Sequence, residues 1–528
     1  MEKRTALAFF LSLLVLIASN AYFAKKVPKK QIEERKEISK KENAQTSALQ
    51  KEILPAFPKV PEKKHLVAEI PVETDLYKLI LSGEGAVLKL GLKNFRREGE
   101  DFFSVIPADL PFCPLEFTGW GKEIHFSADK KSLLLNKENE IGKVALKGKT
   151  KDGLIVTKSF SFNNDGYGFD LAIKIENVSA QEKSLANIGI LCGSGFSSSQ
   201  KKPSGRDPDI EEGQISVDGK INRFSTRKFK KKQTIAEIEW IAQKSQYCLL
   251  FLQPKSKTDA FIYPEEKRLI LGVNFPSIII PENGIAEKKL FFYGGPADYE
   301  IAKAEEKGVE KTLEGGFFVT LGRFILKILT FLYQLVGNWG WAIIILTILV
   351  KIFLFPLSRS SVRSISQMQK LQPYLKDLKT KYKGNTQLMN KEMMELYRKY
   401  KINPLGGCLP MLAQMPIFIA FFFALRSAII LRGAKFMFWI KDLSLPDTVL
   451  AIPNFPGGGI NILPVLMGAS MLIQQKMTTT DPNQKMMALM MPIFFTFIFY
   501  SFSSGLLLYW LVMNILSIAE QRFVSGKK

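Results

Sequence analysis

The stretch TILVKIFLFPL, residues 347–357, places a lysine inside a run that otherwise reads as a membrane span. From Trp339 to Leu357 there are nineteen residues, and Lys351 is the only charged one. A transmembrane helix needs about 20 apolar residues, so the run is long enough to span. A charge near mid-span costs roughly 2.5–3.5 kcal/mol even on the lenient insertion scale, so such a group is paired, hydrated or functional. The alternative is a lysine that snorkels to the nearer end, six residues away, or about 9 Å of helix. Thr347, one turn earlier, and Ser358, two turns later, share the lysine's helix face and form a polar stripe. Gln474, Gln475 and Asn514 offer polar groups from later spans. The later spans are read as free of acidic residues, which leaves Lys351 facing water, backbone carbonyls or a visiting ligand. That reading favours a hydrated groove over snorkelling.

Charge is distributed unevenly along the 528 residues, whose net charge is +23. Residues 317–528 hold 23 Lys/Arg against 7 Asp/Glu, whereas residues 1–316 hold 50 against 43. The basic excess therefore sits with the apolar runs, which points to anionic phospholipids or to the nucleic acid of a ribosome. No RNA-binding module is recognisable, so lipid is the safer of the two. Cys113, Cys192, Cys248 and Cys408 have no CxxC spacing and build no disulfide framework, so buried free thiols are expected. His65 and His125 are the only histidines and both lie in the first half, which excludes a histidine-based active site among the later spans.

The expected fold is a polytopic α-helical membrane protein with six transmembrane helices, both termini inside, and a large extracytoplasmic antiparallel β-sandwich domain. Residues 1–24 read as an N-terminal transmembrane anchor behind Lys3 and Arg4, with Ser19-Asn20-Ala21 as an acceptable cleavage site. Residues 25–64 are rich in Lys, Glu, Gln and Pro and read as a flexible tether. From 65 to 300 the period changes to two. In FDLAIKIENV, Phe169, Leu171, Ile173 and Ile175 alternate with Asp170, Lys174 and Glu176, the pattern of a half-buried strand. NNDG at 163–166 and VDGK at 217–220 are turn signals. Residues 301–338 read as a linker and an interfacial amphipathic helix, with Phe317, Leu321, Phe324, Ile328 and Leu332 on one face.

Residues 339–528 then supply five spans, at 339–357, about 408–431, 460–475, 487–502 and 505–524. The loop 359–402 carries eleven Lys/Arg against Asp377, Glu392 and Glu395, and the positive-inside rule puts it in the cytoplasm. Within it Met368, Leu371, Leu375 and Leu378, then Met389, Met393 and Leu396, recur every three or four residues. This predicts a helical hairpin with an apolar seam and a basic exterior that includes Arg359, Arg363, Lys370, Lys379, Lys381, Lys383, Arg398 and Lys399. Pro373 is expected to kink its first arm. Of sixteen methionines, all but Met1 lie between Met368 and Met513, a usage suited to a surface that accepts varied apolar segments.

FPL at 355–357, LQP at 371–373, NPLGGCLPMLAQMPIF at 403–418, WIKDLS at 439–444, TDP at 480–482 and SSGLLLYW at 503–510 resemble the YidC/Oxa/Alb family of membrane protein insertases. The resemblance is close from about 317 to 528. Residues 1–316 look like the tether and periplasmic β domain of Gram-negative-type members. It implies an insertase of the bacterial inner membrane that receives nascent membrane proteins, alone or with the Sec translocon, and meets ribosomes and anionic phospholipids. It implies no enzymatic step, no metal and no cofactor. In the family a positive residue of the second span sits in a hydrophilic groove, and here Lys351 matches it where many relatives have arginine. Thr347 and the pair Tyr509-Trp510 match substrate-contacting positions, and Gln475 and Asn514 are further candidates for the groove. A polytopic transporter or channel is the competing reading, and it would show repeated halves with paired broken helices. No such repeat is visible. An intramembrane protease needs His/Glu, Ser/His or paired Asp inside the spans, and none is assigned there.

Overall fold

The computed structural model describes residues 68–528, except 97–98, 107–109, 111, 120–123, 186–187, 197–210, 227–228, 266–267, 276, 401, 403–408, 453–454, 479–484 and 527–528. The anchor and tether expected over 1–64, residues 403–408 of the string NPLGGCLPMLAQMPIF, and the TDP string at 480–482 lie outside the described residues. All described residues belong to one compact unit, Lys59–Lys528.

Strands run from Glu69 to Pro296, and their inward residues alternate along the chain as the sequence pattern requires. Gly168–Asn177 buries Phe169, Leu171, Ile173 and Ile175 and turns Asp170 to solvent. Asp218 and Gly219 both take positive φ and join Glu212–Val217 to Lys220–Ser225, the two-residue hairpin that an Asp-Gly pair favours. A nine-stranded sheet is centred on Ile285–Pro296, which pairs antiparallel with Cys248–Pro254 on one side and Gly168–Asn177 on the other. Two five-stranded sheets accompany it. Residues of all three, such as Leu79, Val105, Leu171, Ile190, Leu271 and Phe292, share one buried core, so the domain is a sandwich. Its middle is aromatic, with Phe162 and Phe169 ring centroids 4.7 Å apart and Phe169 and Phe292 5.2 Å apart. Each such buried ring contributes roughly 1.5–3 kcal/mol through area alone. One pairing departs from the antiparallel expectation: Glu69–Glu73 runs parallel to Leu133–Leu134.

This core also holds a lysine. Lys158 lies in strand Leu154–Asn163 at an inward position, in phase with Val156, Phe160 and Phe162, and is fully buried. Its Nζ donates to the carbonyls of Glu84 and Leu115, both at 2.9 Å, and of Gly85 at 3.5 Å, and stands 4.0 Å from the centre of the Phe117 ring. The turn that aims those carbonyls needs glycine at 85, where φ is +73° and an added Cβ would come within 2.9 Å of the lysine stem. Burial lowers the Lys158 pKa to about 7, against the opposing pull of the Glu116 and Glu84 carboxylates. Burial likewise raises the thiols of Cys113 and Cys248 to about 12, and both are free, as is Cys192.

After the short helix α1 (Tyr299–Ala304) the chain turns helical: α2 (Phe317–Val336), α3 (Trp339–Lys370), α4 (Gln372–Lys381), α5 (Thr386–Lys399), α6 (Leu409–Ser427), α7 (Leu463–Thr478), α8 (Lys485–Phe499) and α9 (Ser504–Gly526). Among the described residues two helices, α2 and α3, are long and apolar enough to cross a membrane. Large apolar side chains stand exposed around this part, among them Phe353 at 81 %, Phe317 at 71 % and Phe324 at 61 %. A water-facing surface of that kind is a liability, whereas a lipid-facing one is not.

The buried residues of α2 share only Leu332 with the apolar face read from the sequence. Gly322, Ile325, Leu329 and Leu332 are buried, while Phe317 and Phe324 point outward. The reason is size: a Cβ on Gly322 would meet the Ala420 carbonyl of α6 at 2.9 Å, so the two backbones approach where both are small. In lipid, apolarity does not choose a face but close packing does.

The first hairpin arm is also not a separate element. α3 runs 32 residues without interruption from its Asn338 cap, through the apolar run and into the basic loop. The break falls at Leu371, and Pro373 stands in the first turn of α4, where it restarts a helix instead of kinking one. Leu371, Tyr397 and Ile402 pack with Met368, Leu375, Met393 and Leu396 into the seam between the arms.

Sandwich and helices meet at the end of α6 and the segment that follows it. Ile429, just past α6, is buried in the sandwich core. Arg432 pairs with Glu100 at 3.0 Å and lies over the Phe103 ring at 4.3 Å, and Gln246 Nε2 donates to the Arg426 carbonyl at 2.8 Å.

Candidate functional site

Lys351 points from α3 toward α9, and it is not alone. Its Nζ lies 2.7 Å from Glu520 Oε2, with side-chain exposures of 13 % and 5 %. It donates to Ser517 Oγ at 2.9 Å and, more weakly, to Ser358 Oγ at 3.5 Å. Ser358 Oγ in turn donates to Glu520 Oε2 at 2.6 Å, and Ser517 Oγ donates to the Met513 carbonyl at 2.8 Å. The expectation of a lysine without a carboxylate partner is therefore wrong. Glu520 lies inside the last helix, and the apolar run LLLYWLVMNILSIA before it draws the eye away from the one acid that follows. Helical spacing explains the meeting: Ser517 and Glu520 are three residues apart on α9, and Lys351 and Ser358 are two turns apart on α3. Within the low-dielectric helix bundle the pair is strong, yet desolvating both groups offsets much of that gain. Glu520 Oε1 is buried and has no protein hydrogen-bond partner.

The other predicted positions fall in three places. Thr347 is fully buried and its hydroxyl donates to the Ile343 carbonyl of its own helix at 2.7 Å, so it packs behind Lys351 without joining the ionic cluster. Tyr509 and Trp510 belong to an aromatic wall, and of the two only Trp510 is partly exposed: Tyr509 is fully buried and stacks on Phe421 at 4.1 Å, and Trp510 meets Phe418 edge-on at 4.5 Å and Phe499 at 4.8 Å. Asn514 Nδ2, one turn after Trp510 on the same face of α9, donates to Ser470 Oγ at 3.0 Å and so ties α9 to α7. Gln475 is half-buried on α7. The sequence reading missed Gln369 and Gln521, whose side chains both donate to the Met477 carbonyl, at 2.8 and 3.1 Å, and so pin α3, α9 and α7 together. Methionines divide between core and surface: Met467 and Met513 are buried, Met394 and Met490 exposed.

On the hairpin Arg359, Arg363, Lys370, Lys381, Lys383, Arg398 and Lys399 are all exposed, and the Lys379 side chain lies outside the described residues. The structure thus brings together an ion pair, two serines and an aromatic wall, joined by α3 to a basic hairpin.

Two family descriptions divide the chain between them: a YidC periplasmic domain matches residues 69–329 and a 60Kd inner membrane protein matches residues 331–528. A "Membrane protein insertase YidC" of Pelobacter propionicus is 32% identical over 557 residues, covering 99% of each chain. Another protein of that name, from Endomicrobium trichonymphae, is 34% identical over 469 residues, covering 87% of this chain and 85% of its own. A crystal structure described as an active YidC insertase with the first transmembrane domain resolved covers 90% of this chain at 20% identity and a TM-score of 0.39.

Proposed function

The chain belongs to the YidC family of membrane protein insertases, and on that premise we propose that the cluster around Lys351 is the groove through which it works. Insertion of nascent membrane proteins is its activity, and that activity is not enzymatic. The observation that carries the groove reading is the Lys351–Glu520–Ser517–Ser358 cluster, polar and largely buried between α9 and the otherwise apolar first part of α3. A polar pocket at that depth lets a short hydrophilic stretch of an incoming chain enter without meeting hydrocarbon, so its desolvation cost is spread over several steps. The apolar stretch that follows slides past the partly exposed Trp510 into lipid, with the buried Tyr509 holding the aromatic wall in place. Thr347 supports the groove from behind, and Gln475 and Asn514 belong to its α7 side.

The same reading places six spans in the bacterial inner membrane, with both chain ends and the hairpin in the cytoplasm and the sandwich in the periplasm. The eleven Lys/Arg of the 359–402 loop support that orientation. Arg359, Arg363, Lys370, Lys379, Lys381, Lys383, Arg398 and Lys399 give the hairpin a surface for ribosomes and anionic phospholipids, and insertion proceeds alone or beside the Sec translocon. The sandwich, held by the Arg432–Glu100 contact, serves docking rather than the insertion step.

Photo-crosslinkers at 354 and 510, introduced during synthesis of a single-span protein, test the groove. The translocating segment is expected to crosslink from both positions before it reaches the lipid-facing position 353. A segment that crosslinks from 353 and never from 354 or 510 overturns the reading.

A further inference from the structure

A bare lysine in a groove attracts carboxylates, whereas a lysine paired with its own glutamate does not, because the pair carries no net charge. Glu520 is the acid already on Lys351, at 2.7 Å, with both side chains largely buried. Resting on the groove reading above, we infer that Glu520 is a resident counter-ion which an acidic residue of an incoming segment must displace, so that this exchange sets the charge selectivity of insertion.

Three observations carry the inference. Lys351 is already saturated: Glu520, Ser517 and Ser358 take its three donors, so an added carboxylate gains a full partner only by replacing one of them. Glu520 is held at one oxygen only. Oε2 takes both Lys351 and the Ser358 hydroxyl, while Oε1 is buried without a protein partner, and a half-satisfied carboxylate is released at lower cost than one bonded at both oxygens. Glu520 also has somewhere to go. It lies six residues before Gly526, the last residue of α9, or about 9 Å of helix, so a displaced side chain is within a short reach of that end.

The pairing thereby makes the groove more selective than a lone cation. Neutral polar segments enter beside an intact pair, and acidic segments enter only when their carboxylate out-competes a tethered one. Selectivity built by placing a competitor in the site is a difference of affinities.

The test uses the full-length protein in vesicles and two single-span substrates that differ only in a translocated tail bearing aspartates or the matching asparagines. The readout is the ratio of acidic-tail to neutral-tail insertion within each variant. Glu520→Gln keeps an acceptor for Ser358 and removes the charge, and the ratio is expected to rise several-fold. Glu520→Asp keeps the charge but shortens its reach, and is expected to raise the ratio less; it also serves if the glutamine variant fails to accumulate. A ratio that stays level or falls in both variants overturns the inference and leaves Glu520 a structural partner. Lys351→Ala, measured with the same substrates, separates the two claims. If it leaves acidic tails unaffected, the groove reading itself fails. If it impairs them while the glutamate variants leave the ratio level, the counter-ion inference alone fails.

Discussion

The sandwich buries Lys158 completely and the helical part buries Lys351 in large part, and they hold them differently. Lys158 meets backbone carbonyls of Glu84, Leu115 and Gly85. Lys351 meets side chains: Glu520 and Ser517 from a helix more than 150 positions away in sequence, and Ser358 from its own. Carbonyls are fixed by strand and turn geometry and cannot be exchanged without unfolding the edge that carries them. Side chains rotate, and a visiting group can take their place. Lys158 is thus a structural amine, kept by a mould, whereas Lys351 is a cation in a site that can change partners. The surroundings agree: Lys158 sits among the aromatic residues of a closed core, and Lys351 sits between two helices that expose large apolar side chains such as Phe353 and Ile515.

The sharpest test of that contrast reverses the charge of one lysine. Lys351→Glu sets two carboxylates against each other in a largely buried site, and leaving a buried charge uncompensated costs roughly 3–5 kcal/mol. Insertion is expected to be lost, and Lys351→Glu combined with Glu520→Lys is expected to recover much of it, read by substrate insertion at equal protein level. Recovery would mark an exchangeable pair; no swap of that kind is available to Lys158, whose partners are main chain.

A second test concerns pH. The folded state releases the Lys158 proton near 7, while the unfolded chain keeps it to about 10.4. Between those values unfolding takes up a proton, so the sandwich gains stability as pH rises, by up to about 1.4 kcal/mol per unit, and is least stable below 7. Calorimetry of the sandwich transition from pH 6.5 to 9.5 is expected to show that slope, and Lys158→Met is expected to flatten it. A slope unchanged in the variant would assign the pH dependence elsewhere.

Ser517→Ala removes one hydrogen bond on Lys351 and keeps both charges, so a loss of about 1 kcal/mol is expected. The helix bundle's melting temperature should fall slightly while the acidic-to-neutral insertion ratio stays below that of Glu520→Gln. The smallest effect is expected from Lys351→Arg. Guanidinium reaches Glu520 with more donors, so activity should be kept; a large loss there would mean that the compact ammonium, and not its charge, is what the site requires.

Much of the architecture was legible because it rests on periodicity. Phe169, Leu171, Ile173 and Ile175 announce a strand by alternation, Asp218-Gly219 announces a hairpin, and Met368, Leu371, Leu375, Met393 and Leu396 announce the seam of the helical hairpin. Lys351 and Ser358 were legible as a polar stripe on one helix face. What escaped the sequence is long-range or decided by size. The partner of Lys351 lies on another helix, and no spacing rule links positions 351 and 520. Lys158 occupies an inward slot in a clean alternation, and the carbonyls that permit it come from loops at 84–85 and 115. The buried face of α2 follows Gly322 and not its largest apolar residues, because lipid accepts phenylalanine and helices accept each other where side chains are small.

The unbroken run of α3 makes it a lever. Its 32 residues span about 48 Å, against a hydrocarbon core of about 30 Å. Lys351 sits on the membrane part of that rod and Lys370 at its far tip. Between them stands Pro356, which frees the Ile352 carbonyl and weakens the rod at one point. A bend of about 10° there carries Lys370, about 21 Å further along, through roughly 4 Å. Any bend at Pro356 therefore moves the hairpin, at the end of the long arm, further than it moves Lys351 on the short one.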